Sequence, residues 1–177
     1  MSQEHIEQLR EGYALINRKD FDAALALVHP DFAWENDPAG PLGATVYYGR
    51  AAVKRFWEDF LGSFDDFHQE PFEFREAAGG KILVRARLST YLEGTDEPLR
   101  FDTTHLWTIR DDVAVHMRMY FDHGEALEAA GLRESGEGAH RPLTTRGLAR
   151  VPTSVAEQAR RAGRRWSGLA RRSSRRR

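Results

Sequence analysis

At 177 residues the chain has the length of one domain with some to spare, and a 41% hydrophobic content that includes four Trp and ten Phe is enough for a full core. It contains no cysteine, which excludes disulfides, thiolate metal ligands and a cysteine nucleophile. The net charge of −1 hides a division, because residues 1–132 (13 basic, 24 acidic) stand near −11 and residues 133–177 (13 Arg, three Glu) near +10; on charge alone, nucleic-acid binding is open only to the second part.

The start, MSQEHIEQLR, has no basic-then-apolar pattern, and no apolar run approaches the roughly 18 residues of a membrane span. A soluble protein of the cytoplasm is therefore expected. Residues 4–17, EHIEQLREGYALIN, place Ile6, Leu9, Tyr13 and Ile16 on one helical stripe. Asn17 to Asp20 breaks that helix, and Asp20 is a good N-cap for a second one, FDAALALVH, which Pro30 ends. Phe32 and Trp34 then alternate as a strand that stops at Pro38, AGPLG is a loop, and VYYG reads as a short strand. Gly49 precedes a third helix, RAAVKRFWEDFLGSF, with Val53, Phe56, Trp57 and Phe60 on its buried face.

From residue 66 the period changes from 3.6 to 2. FHQEPFEFREA is a strand that Pro71 marks as an edge or a bulge. Gly79-Gly80 turns into KILVRARLSTYLEG, with Ile82, Val84, Ala86 and Leu88 on one face. TDEP turns again into LRFDTTHLWTIR, and Asp111-Asp112 closes a hairpin onto VAVHMRMYFD. A short helix, GEALEAAGL, completes the compact part. Helices first and antiparallel strands after indicate an α+β fold.

From Arg133 the composition turns to Gly, Ser, Pro, Thr and Arg. Three readings of residues 133–177 stand open: a disordered solvated tail, a basic amphipathic helix near 154–170 that meets anionic membrane or nucleic acid, or a stretch with no function.

The order of elements, with the phrases YALINRKDFDAALALVHPDFAWENDPAG, YYGRAAVKRFWEDFL and HLWTIRDDVAVHMRMYFDHGEAL, resembles the SnoaL-like branch of the nuclear transport factor 2-like superfamily. That superfamily also holds the ketosteroid isomerases and limonene epoxide hydrolase. The resemblance covers about residues 4–132 and is specific for fold rather than function, since this fold hosts isomerases, cyclases, hydrolases and binding proteins. It implies a cone, in which a curved antiparallel sheet wraps three helices around an apolar pocket. It also implies a homodimer through the outer face of the sheet, and the large side chains on both faces of HLWTIR and VAVHMRMYF agree with a sheet covered on both sides.

The same resemblance nominates site residues. Ketosteroid isomerases carry a general-base aspartate before a proline at the end of the first strand, where this chain has Asp37-Pro38 after a strand one residue longer. Read from the residues alone, Asn36 and Asp37 also suit a turn before proline. The isomerase oxyanion tyrosine falls nearest Tyr13, offset by one residue, and its protonated aspartate is replaced by Thr104 before His105, a weaker donor. SnoaL cyclases use an aspartate in the last strand, the level of Asp122, beside which His105, His116 and Tyr120 can form a polar cluster; read from the residues alone, Asp122 before the last helix also suits a connector or cap. The expected register turns Thr104, Leu106, Met117, Met119 and Phe121 inward and His105, His116 and Tyr120 outward; a slip of one residue reverses it. Tyr13, Trp34, Phe56, Trp57 and Met117 are the expected hydrophobic lining.

No metal site is expected, because the seven His form no HxH or HExxH pattern. No Gly-rich phosphate loop and no serine in a nucleophile elbow occur. Two functions remain. One is a cofactor-free isomerase or cyclase that moves a proton on a small hydrophobic carbonyl compound, with Asp37 or Asp122 as base. The other is a non-catalytic small-molecule-binding or accessory domain. What separates them is whether Asp37 is buried among aromatics or exposed on a rim.

Overall fold

The structure is a computed structural model, and it describes residues 2–40, 43–64, 66–91 and 98–133. The expectations for the Arg-rich tail, including the helix near 154–170, lie outside the described residues, as does most of the TDEP turn. The chain runs α1 (Ser2–Asn17), α2 (Phe21–Ala26), β1 (Val28–Glu35), β2 (Val46–Tyr48), α3 (Arg50–Phe60) with a 3-10 turn at Leu61–Ser63, β3 (His68–Ala77), β4 (Lys81–Tyr91), β5 (Pro98–Arg110), β6 (Val113–Tyr120) and α4 (His123–Ala130).

This is the expected α+β cone architecture, with one departure. The six strands lie in the order β2-β1-β6-β5-β4-β3, and β1 and β6 run parallel, so the sheet is mixed rather than wholly antiparallel. A parallel pair needs a long crossover, and everything from β2 to β5 supplies it.

Local chemistry explains the boundaries. Asp20 caps α2 by accepting from the Ala23 N–H at 3.2 Å. That helix ends at Ala26, not at His29 as the sequence suggested, because Val28 already pairs with Ala114 of β6. Arg50, at the start of α3, donates to the carbonyls of Ala26 and Val28 and fastens the helix-to-strand corner. Pro30 therefore sits inside β1, in the stretch where its register against β6 shifts. Pro71 is both edge and bulge: β3 is an outer strand, and its register against β4 shifts between Pro71 and Glu73. Asp111 and Asp112 have φ of 50° and 60°, the two positive values of a two-residue hairpin turn between Arg110 and Val113.

Strand alternation sends side chains to two cores. On one face Phe32, Trp34, Ile82, Val84, Ala86, Leu88, Trp107, Ile109 and Met117 pack against α1, α2 and α3. On the other, Leu83, Leu106 and Tyr120 meet Ala126, Leu127 and Ala130 of α4. In β6 the expected register holds, with Met117 and Met119 inward. In β5 it is reversed. His105 pairs with Met119 and Trp107 with Met117, so His105 and Trp107 point inward while Thr104 and Leu106 lie under α4. The helix-side face has room for the large Trp107 and Ile109, and burying those two outweighs burying Leu106 alone. His105, expected outward at an interface, is instead 1% exposed in the interior. Among the described residues no helix is long and apolar enough to cross a membrane.

Candidate functional site

The helix-side interior is built of rings. Trp34 packs against Phe56 at 5.9 Å between centroids, against Trp57 edge-on at 5.4 Å and against His105 at 6.4 Å. Phe32 stacks on Trp107 at 5.8 Å, and Tyr13 meets Trp107 edge-on at 6.2 Å. Of the expected lining, Tyr13, Trp34, Phe56, Trp57 and Met117 are all buried on this face. A cavity of about 20 Å³ remains beside Leu9, Tyr13, Trp57 and Trp107, room for about one water.

Through this apolar interior runs a line of polar atoms whose proton order can be derived. Trp107 Nε1 can only donate, and it donates to the Tyr13 hydroxyl at 3.2 Å. Tyr13 in turn gives its own proton to His105 Nδ1 at 2.6 Å. An imidazole accepting at Nδ1 carries its proton on Nε2, which lies 3.1 Å from Thr103 Oγ1. The Thr103 hydroxyl then points to the Ala86 carbonyl at 3.5 Å. Each donor in the line meets an acceptor. Burial holds the His105 pKa down, from 6.5 to about 4, so the ring is neutral at pH 7. Burial pushes the Tyr13 phenol up, opposed in part by its bond from Trp107, and it stays protonated.

Asp37 follows the end of β1 and is 4% exposed, the buried alternative of the two that the sequence left open. Its Oδ1 accepts from the Ala39 N–H and its Oδ2 from the Phe121 N–H, both at 2.8 Å. The first bond is the turn before proline; the second ties β1 to the end of β6. Its neighbour Asn36 is 1% exposed and accepts from Trp34 Nε1 at 2.9 Å. Nothing in the sequence pattern singled out Asn36, since an Asn-Asp-Pro run reads as a turn.

The remaining candidates fall elsewhere. Asp122 is exposed and caps α4, its Oδ1 accepting from the Glu125 N–H at 2.9 Å. Thr104, expected inward, is on the opposite face, 3.1 Å from His123 Nδ1. Tyr120, as its outward register required, lies under α4 with the Arg118 guanidinium 4.9 Å above its ring. His116, also outward, pairs with Glu35 at 3.1 Å, and Arg118 takes the other Glu35 oxygen at 3.3 Å. A second cleft, of about 310 Å³, is lined by polar groups including His5, Glu76, Lys81, Asp111 and Asp112. No group of three His, Asp or Glu among the described residues is placed to hold a metal ion.

Comparison with known proteins narrows the family. The model of the SnoaL-like domain matches residues 9–126. Among solved structures, TerC co-crystallised with polyporic acid is 28% identical, over 71% of this chain and 96% of that one, at a TM-score of 0.58. An NTF2-like protein of unknown function from Burkholderia pseudomallei is 23% identical over 71% and 96%, also at 0.58. A protein with a ketosteroid isomerase-like fold from Catenulispora acidiphila, in complex with trimethylamine, is 16% identical over 72% and 94%, at 0.57. The last two likenesses concern the fold alone. No curated protein matches the chain.

Proposed function

This chain belongs to the SnoaL-like domain family, and from that premise we propose that it holds a small hydrophobic carbonyl compound in its aromatic interior and moves a proton on it without a cofactor, as an isomerase or cyclase does. The observation that carries the reading is the neutral line Trp107–Tyr13–His105–Thr103. Polar groups buried in an otherwise apolar core are costly, and a phenylalanine at Tyr13 would fill the same space without them. The protonated phenol can exchange its bond to His105 Nδ1 for one to a ligand carbonyl oxygen, and donation there acidifies the neighbouring C–H. Asp37 is the base we assign, exchanging one of its backbone hydrogen bonds for substrate. The co-crystallisation of TerC with polyporic acid supports an organic ligand of this kind.

Entry of a ring requires the interior side chains to part, because the cavity of about 20 Å³ holds no bicyclic compound. A second reading, a non-catalytic binder, is favoured by one observation: both Asp37 oxygens already serve the backbone. Deuterium exchange separates the two. The full chain and its Asp37→Asn variant are incubated in D2O with 1-tetralone at a temperature where both are folded, and the α-carbon protons are followed by NMR. The enzyme reading expects wild type to exchange them at least about a hundredfold faster than the variant, the low end of general-base effects. Binding with exchange no faster than in buffer leaves the binder.

The homodimer belongs to the same proposal. Val46, Tyr48, Phe72 and Tyr91 stay exposed on the outer face, where the Arg85 and Arg87 guanidinium groups lie 5.1 and 5.5 Å from the Phe72 ring. Sedimentation of the full chain at micromolar concentration reads it directly, and a monomer there ends it.

A further inference from the structure

Two buried N–H donors of the interior have no acceptor among the described residues: Asn36 Nδ2 and Trp57 Nε1. Their residues are 1% and 2% exposed. The direction of the Asn36 amide is forced. Trp34 Nε1 can only donate, so the Asn36 atom 2.9 Å from it must be the carbonyl oxygen, and the NH2 end points elsewhere. Trp34 also touches the second donor's ring, edge to face at 5.4 Å. One indole therefore touches both residues, with His105 and Phe56 against it on the same face of the sheet. Trp57 further lines the small cavity beside Tyr13 and Trp107. The other two atoms in this condition, Gln69 Oε1 and Arg118 Nε, belong to β3 and to the outer-face cluster.

A core shaped only for stability satisfies such groups or replaces them with hydrocarbon. Both are donors, so what completes them is an acceptor. We propose that Asn36 Nδ2 and Trp57 Nε1 each donate to an oxygen of the ligand, and that these two groups make the site prefer a ring ketone to a hydrocarbon of the same shape. The inference rests on the ligand-site reading above and adds to it the two groups that select the ligand's oxygen. The selectivity follows from the penalty structure: a ligand without the oxygen leaves both donors buried and unpaired, and sites of that kind discriminate strongly.

The test uses the full chain, labelled with nitrogen-15, and two probes of one bicyclic shape: 1-tetralone and its oxygen-free counterpart tetralin. The expected result is that 1-tetralone moves the Trp57 indole N–H and the Asn36 side-chain NH2 resonances downfield and binds at least tenfold tighter than tetralin. In Trp57→Phe the preference drops to about threefold; should that variant not fold, the wild-type spectra decide alone. If both probes bind equally and shift ring resonances of the interior but not these N–H groups, the oxygen-reading role is overturned and the ligand site stands. A retained water contact at both N–H groups in the bound state overturns it as well. If neither probe at millimolar concentration moves any interior resonance, the ligand-site reading falls with it.

Discussion

Replacing Asp37 by asparagine lowers the melting temperature of the chain by about 10 °C. The carboxylate accepts two backbone N–H groups, from Ala39 and from Phe121, at 2.8 Å each. An asparagine offers one oxygen, and its NH2 is then held against the other N–H, donor facing donor in a nearly fully buried place. Losing one charge-assisted bond and leaving a buried donor unpaired costs roughly 3 kcal/mol together. At roughly 3 to 4 °C per kcal/mol for a domain of this size, that gives the stated shift. Calorimetry of both proteins at pH 7.5 checks it. An unchanged melting temperature shows that the fastening of β1 to the end of β6 contributes nothing and that Asp37 is free for other work.

Acidification from pH 7.5 to 4.5 destabilises wild type by up to about 3 kcal/mol more than it destabilises His105→Gln. The folded-state pKa of His105 is about 4 against 6.5 in the unfolded chain, and desolvation is the cause. Between those values the unfolded chain binds a proton at this position and the folded protein does not. Stability therefore falls as pH falls through the window from about 6.5 to 4, and is independent of this group above it. The whole span of the shift, at about 1.4 kcal/mol per unit, sets the upper limit. Glutamine does not titrate, so the variant lacks this slope while keeping the other six His and all the carboxylates. Urea midpoints at a series of pH values measure the difference. Parallel curves would mean that His105 titrates normally and that the interior at Tyr13 and His105 is wet.

Much of the fold was legible in the sequence because its signals were local. The stripe Leu9, Tyr13 and Ile16, the cap at Asp20 and the alternation of Ile82, Val84, Ala86 and Leu88 each announce one element, and each packs as expected. What depended on distant partners was less legible. The early end of α2 follows from the pairing of Val28 with Ala114 and from Arg50 reaching back to two carbonyls. The register of β5 was misread because Thr104 and Leu106 make as good an alternating pair as His105 and Trp107; only the size of Trp107 against the helices decides it. That misreading hid the link between Tyr13 and His105, 92 residues apart in the chain. The lining residues were readable because large aromatics on amphipathic elements have few other places to go. Asn36 was not, since its meaning lies in the direction of one amide, fixed by the indole two residues before it.

The most direct measurement is a titration of the full chain, carbon-13 labelled at its methionine methyls, with 1-tetralone and a panel of related steroid, terpenoid and polyketide-like ketones. The chain has three methionines, and two of them, Met117 and Met119, belong to the helix-side interior. A ketone bound where proposed shifts the Met117 methyl and gives NOEs between that methyl and ligand protons, with Met1 unmoved. Ketones that bind with both interior methyls unmoved, or a panel of which no member binds, contradict an interior ligand site.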